Sequence, residues 1–118
     1  MTDALTFRLI GHGIAYSASP AMMAAAFDAL DLPHRYELAD IPAADVPATV
    51  ECLRGADVGG ANVTVPHKAG VAAEMDELSD VAREAEAVNT VVRAGGRLIG
   101  HNTDFPATVE AIDRLRPN

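Results

Sequence analysis

The sequence has a single cysteine, Cys52, and no tryptophan. One cysteine cannot close an internal disulfide and offers no cysteine-based metal or redox motif, which fits a reducing, cytoplasmic compartment. Aromatic residues make up only 4% of the chain, leaving few platforms on which bases could stack. Positive charge is also scarce: 9 Lys and Arg stand against 17 Asp and Glu, a formal charge of -8. No stretch interleaves basic residues with aromatics, so nucleic acid is not an expected partner. Nothing approaches the run of about 18 apolar residues that a membrane span needs. The first residues carry neither the basic nor the apolar region of a secretory signal. The four histidines, at positions 12, 34, 67 and 101, include no pair at i, i+4, so no metal site is expected.

What is present is 118 residues with 49% hydrophobic content, enough for one core and one domain over residues 1–118. Helical apolar patterns alternate with short Val, Ile and Leu runs, the signature of an α/β domain. Residues 5–10 read as a strand entering a loop at Gly11-His12-Gly13. Ser19-Pro20 reads as a helix N-cap and first turn, with Met22, Met23, Ala26, Phe27 and Leu30 on the buried face. Residues 34–38 form a second strand, and Ile41-Pro42 opens a helix carrying Val46, Val50 and Leu53 that closes at Gly55. Residues 58–65 form a buried strand ending at Pro66, in which two glycines permit close approach of a backbone or a ligand. Residues 69–87 are helix formers with an acidic, solvated face. Residues 88–93 and 97–100 flank Ala94-Gly95-Gly96 as a hairpin. A last helix starts near Thr103-Asp104, with Asp104 as its cap and Thr108, Ile112 and Leu115 on one face.

Several of these junctions carry polar residues. Gly11-x-Gly13 after a strand invites comparison with a dinucleotide fingerprint, but the third glycine would fall at Tyr16 and no helix starts before Pro20. Ser17 and Ser19 precede a helix start, where hydroxyls and free amides can converge on an anion; capping alone would also explain Ser19. Asn62 and Thr64 share one side of an extended segment, because side chains alternate with period two. Lys68 follows the break at Pro66; a lone lysine is ordinarily a surface charge, yet it can act as a general acid or base. Asn89, at the start of the hairpin, is an unusual strand residue and suggests a polar task.

Taken together, these segments resemble the substrate-binding domain of the shikimate dehydrogenase family. Residues 11–20 with Ser-x-Ser-Pro, Gly60-Ala61-Asn62-Val63-Thr64-Val65-Pro66-His67-Lys68, Ala87-Val88-Asn89-Thr90 and Gly100-His101-Asn102-Thr103-Asp104 match four family motifs in order. The resemblance implies a small three-layer sandwich, a mixed and mostly parallel sheet flanked by helices. It implies Lys68 and Asp104 as the acid/base pair, and Ser17 and Ser19 as ligands of a substrate carboxylate. Asn62, Thr64, Asn89 and Asp104 become ligands of ring hydroxyls or of the lysine. The family reduces 3-dehydroshikimate to shikimate with NADPH on the route to aromatic amino acids, so the resemblance implies NADP(H) as cofactor. It also implies a Rossmann domain, in cis or in trans, that this chain lacks. The expectation is the substrate half of an oxidoreductase, inactive without that domain. The alternative is a stand-alone binding module or regulatory subunit for shikimate-like or quinate-like ligands.

Three positions depart from the family pattern. Tyr16 stands where histidine commonly precedes the first serine, Glu86 where glycine commonly precedes Ala-Val-Asn-Thr, and Phe105 where glycine or an aromatic commonly follows Asn-Thr-Asp. Tyr16 and Phe105 adjoin site residues, which leaves quinate or an amino-substituted shikimate open as substrate.

Overall fold

Strand β1 (Thr6–Gly11) alternates Phe7 and Leu9 with Arg8 and Ile10, so it can bury apolar side chains on both faces. The computed structural model describes residues 3–117. Its elements follow as α1 (Ser19–Ala29), β2 (Arg35–Asp40), a 3-10 turn (Ala43–Asp45) leading into α2 (Val46–Cys52), β3 (Val58–Val63), α3 (Lys68–Ala72), β4 (Glu77–Leu78), α4 (Asp80–Ala85), β5 (Thr90–Ala94), β6 (Arg97–His101) and α5 (Asp104–Leu115). The strands form one sheet in the order β2-β1-β3-β5-β6-β4. The pairs β1–β2, β1–β3 and β4–β6 are parallel, while β3–β5 and β5–β6 are antiparallel. The sheet is therefore mixed and mostly parallel, as expected.

The two faces are filled differently. Ile10, on one face, joins Val46, Val50 and Leu53 of the α2 segment, Val58 and Val63 of β3, and Val71 of α3 in the main core. On the other face Phe7 meets Phe27 of α1 at a ring-centroid distance of 5.7 Å, and His34 packs edge-on against both rings. At the junction of β1 and β3 a side chain on Gly59 would overlap the Phe7 ring, so glycine is required for these strands to lie together.

Three expectations are corrected. Only Phe27 of α1 is buried, while Met22 and Leu30 are 63% and 68% exposed; α1 covers the β1–β2 side alone, where one ring makes the apolar contact. Strand β3 stops at Val63, and Val65 points into solvent. The helical stretch at residues 69–87 is broken into α3, β4 and α4. Asp76 is drawn to Arg54 and to the amide of Leu98, and Ser79 caps α4 by accepting from the amide of Ala82 at 3.2 Å. Glu86 closes α4 in the left-handed region at φ 53, the conformation that favours the glycine common at that position. Helix α5 has no buried residue, and Ile112 and Leu115 are uncovered among the described residues. The hairpin is as expected, with Gly95 and Gly96 both at positive φ (59 and 84) as a tight two-residue turn demands.

Candidate active site

Lys68 is the first residue of α3 and is held from both sides. The buried ring of the preceding residue, His67, donates from Nε2 to the carbonyl of Ile41 at 2.7 Å. The carbonyl of Lys68 itself accepts from the amide of Val88 at 2.9 Å, bringing the α4–β5 connection alongside. The Nζ atom donates to Asp104 Oδ2 at 2.6 Å, with the lysine and aspartate side chains 33% and 54% exposed.

Asp104 is positioned by a polar bracket rather than by apolar packing. In place of the expected cap, it is the first residue of α5, and the cap-like bond comes from Asn102, whose Oδ1 accepts from the amide of Phe105 at 3.1 Å. Asn102 is buried and its Nδ2 donates to the carbonyl of Ala87. Asn89 completes the bracket: Nδ2 donates to Thr103 Oγ1 at 2.8 Å, and Oδ1 accepts from the amide of Thr103 and from Thr90 Oγ1, each at 3.0 Å. The Lys68 hydrogen bond, helped by its charge and by Asn89, holds the Asp104 carboxyl below the usual carboxylate range against the opposing effect of burial. Asp104 is therefore anionic at neutral pH, and the donor of the pair is Lys68.

Sheet register places more polar groups beside the pair. Asn62 pairs with Leu9 on one side and with Thr90 on the other, and Thr90 pairs with His101. Paired residues point to the same face, so Asn62, Thr90 and His101 form a polar row on the face that carries Phe7 and Leu9. Tyr36 of β2 donates from its hydroxyl to Asn62 Oδ1 at 3.0 Å. With that oxygen occupied, Asn62 presents its Nδ2 donors to a ligand. Burial raises the Tyr36 phenol, which keeps it protonated as a donor. Tyr36 is not among the expected site residues; in sequence its only signal is its place in an alternating strand.

The serine segment is compact. Ser19 is the first residue of α1, not its cap, and no side chain caps that helix. Ser17 forms a local turn just ahead of the helix: its Oγ accepts from the amide of Ser19 at 3.1 Å, and its own amide donates to the carbonyl of Ile14 at 2.9 Å. A hydroxyl that accepts one bond still has its hydrogen to donate, so Ser17 can serve an outside acceptor. The segment lies against the Lys68 segment through the amide of His12, which donates to the carbonyl of Val65 at 3.2 Å. Thr64 is half-buried at this junction, its amide bonded to the carbonyl of Ile10. Lys68, Asn89 and Asp104 thus stand as one group, and Asn62 is tied to it through Thr90. Ser17 and Ser19 belong to the neighbouring loop, which meets the Thr64 segment where His12 bonds Val65.

The loop does not fit a dinucleotide. The amides of Gly13 and Ile14, which a phosphate-cradling loop would offer to an anion, instead donate to Asp40 Oδ1 and Oδ2 at 2.8 and 3.2 Å. A carboxylate there repels phosphate, so this loop is not a phosphate cradle. Among them no three His, Cys, Asp or Glu side chains gather as a metal site, and no helix is long and apolar enough to cross a membrane.

Behind the site, Arg54 ties the hairpin to the core. It forms a two-pronged pair with Asp76 at 2.5 and 3.1 Å and reaches Glu51 Oε2 and the carbonyl of Gly96, each at 3.0 Å. Arg54 and the amide of Leu98 pull the Asp76 carboxyl from 3.8 down to about 2. A carboxyl lowered by folding stabilises the native state above its unfolded value and loses that contribution as pH falls through the folded value. Asp76→Asn is therefore expected to be less stable than the parent at neutral pH, and the gap in urea midpoint should shrink between about pH 4 and pH 2. A gap that stays constant through that window would show that the carboxylate charge is not what Arg54 reads.

The family model for the shikimate dehydrogenase substrate binding domain matches residues 9–91. A shikimate dehydrogenase (NADP(+)) of Symbiobacterium thermophilum is 45% identical over 96 residues, covering 81% of this chain and 33% of the relative. The crystal structure of shikimate 5-dehydrogenase from Thermus thermophilus in complex with NADP(H) and shikimate superposes with a TM-score of 0.84 at 41% identity, covering 93% of this chain and 42% of that one. The ligand-free 5-ketofructose reductase of Gluconobacter gives a TM-score of 0.85 at 27% identity over 97% of this chain and 41% of that one. Measured against its curated relatives, the chain spans between 33% and 41% of their length.

Proposed function

The chain belongs to the shikimate dehydrogenase family as its substrate-binding domain, and from that premise we propose that it is a single domain, acting in the cytoplasm, that binds shikimate or 3-dehydroshikimate and supplies the proton for their interconversion. The observation that carries this reading is the 2.6 Å bond from Lys68 Nζ to Asp104 Oδ2 beside the polar row of Asn62, Thr90 and His101. Reduction of a ring ketone builds negative charge on its oxygen, and a donor within hydrogen-bond reach must supply a proton as the hydroxyl forms. Lys68 is that donor, and Asp104 orients its ammonium group. Asn62 and Asn89 take ring hydroxyls, with Thr64 beside them, while Ser17 and Ser19 donate to the ring carboxylate. In the full-length family NADPH supplies the hydride, so the partner proposed for this chain is a Rossmann cofactor domain joined in cis or supplied in trans.

Titrating the chain with shikimate while following amide chemical shifts tests the reading. The expected result is a set of perturbations clustered at Ser17, Ser19, Thr64, Lys68, Asn89 and Asp104, saturating in the micromolar to millimolar range. No response at several millimolar ligand would overturn it. Parallel titrations with quinate and an amino-substituted shikimate rank the ring substituents that the site prefers.

A further inference from the structure

Asp40, the last residue of β2, sits outside every motif described above, yet its carboxylate bonds the backbone of the serine segment at two points. Oδ1 accepts from the amide of Gly13 at 2.8 Å and Oδ2 from the amide of Ile14 at 3.2 Å, across separations of 27 and 26 residues. The neighbouring Ile41 repeats the tie by donating from its amide to the carbonyl of Gly11 at 2.9 Å. Ile14 is buried, so the segment is anchored by packing at the same residue that Asp40 holds by hydrogen bonding. From Ile14 the bonds run onward: its carbonyl accepts from the amide of Ser17, whose hydroxyl accepts from the amide of Ser19. The His12 ring lies 3.3 Å from Asp40 Oδ1 at the outer edge of the same cluster.

We infer that Asp40 is a positioning residue for carboxylate recognition, holding the loop so that the Ser17 and Ser19 hydroxyls converge on the substrate's anionic group. The inference rests on the reading of these serines as carboxylate ligands. A carboxylate is suited to the task because two backbone donors bound to one charged group form short, directional bonds. It also cancels the loop's own attraction for anions at Gly13 and Ile14, leaving the serines as the anion-selective donors. Without Asp40 those two amides face water and the serines lose a fixed spacing.

The test measures shikimate affinity by the amide-shift titration for the parent, Asp40→Ala, Asp40→Asn and Ser17→Ala, alongside the corresponding cyclohexenetriol that lacks the carboxylate. Asp40→Ala is expected to weaken shikimate binding about tenfold and to leave the triol unchanged. Asp40→Asn keeps one acceptor oxygen and the same volume, and should weaken shikimate about threefold. It keeps the test in place if the alanine variant does not fold. Shikimate affinity within about twofold of the parent in both variants, or equal losses on both ligands, would overturn the inference. If Ser17→Ala weakens shikimate and the Asp40 variants do not, the positioning role alone fails. If Ser17→Ala also has no effect, the serine reading fails and takes the positioning role with it.

Discussion

Replacing Lys68 with alanine, in the enzyme completed by a cofactor domain, is expected to lower kcat by a factor on the order of 10²–10⁴ while KM for shikimate changes only severalfold. The difference follows from the role proposed for the side chain. Ser17, Ser19, Asn62 and Asn89 keep their donors in the variant, so most ground-state binding persists. What disappears is the donor that meets charge only as it develops on the reacting oxygen. Folding damage is a small confounder: the Lys68 side chain is one-third exposed, and the bonds that place α3 are made by its backbone carbonyl and by His67. Asp104 loses its ion-pair partner, yet at 54% exposure its carboxylate stays hydrated. Unchanged turnover would remove Lys68 from the proton-transfer step. A rise in KM with kcat intact would make it a binding residue only.

The second large effect is expected in the core. Ile10 is fully buried among Val46, Val50, Leu53, Val58, Val63 and Val71, where β1 meets α2, β3 and α3. Truncating a buried isoleucine to alanine removes transfer free energy and leaves a cavity that the surroundings fill only in part, about 2–5 kcal/mol in all. A domain of this size has a total stability on the order of 5–15 kcal/mol, so Ile10→Ala should lower the urea midpoint by a large fraction. Ile10→Val, which keeps most of the volume, should cost about 1 kcal/mol. The loss also reaches the site, because the Ile10 carbonyl accepts from the amide of Thr64 and Gly11 leads directly into the serine segment. A midpoint for Ile10→Ala close to that of the parent would mean that the core collapses readily around this position.

The parts of this architecture that are legible in sequence are those with local causes. Gly95-Gly96 between two apolar runs announces a hairpin, and Val46, Val50 and Leu53 announce a buried helical face. The lysine, the two asparagines and the aspartate are reached through ordered motifs, and the structure brings Lys68, Asn89 and Asp104 into one bonded group. Over residues 69–87 composition favours one helix throughout, whereas the cap at Ser79 and the left-handed turn at Glu86 are single-residue signals set against a helical background. Arg54 adds a tertiary pull on Asp76 that no local window contains. Asp40 and Tyr36 are invisible for the same reason: each acts on a segment 26 or 27 residues away. In α5 the helical periodicity is legible, while its lack of burial among the described residues is not.

The separations that hide these contacts also govern how the site comes into being. Asp40 grips Gly13 across 27 residues, Tyr36 reaches Asn62 across 26, and Lys68 meets Asp104 across 36. Each contact must close a long loop and meet its entropy before gaining anything in return. Early, local structure such as the β5–β6 hairpin can bring Asn89 to Thr103, but it joins neither Lys68 to Asp104 nor Asp40 to the serine segment. Recognition chemistry arrives only when distant strands have docked, which makes the site a late product of folding and leaves partly folded chains without it.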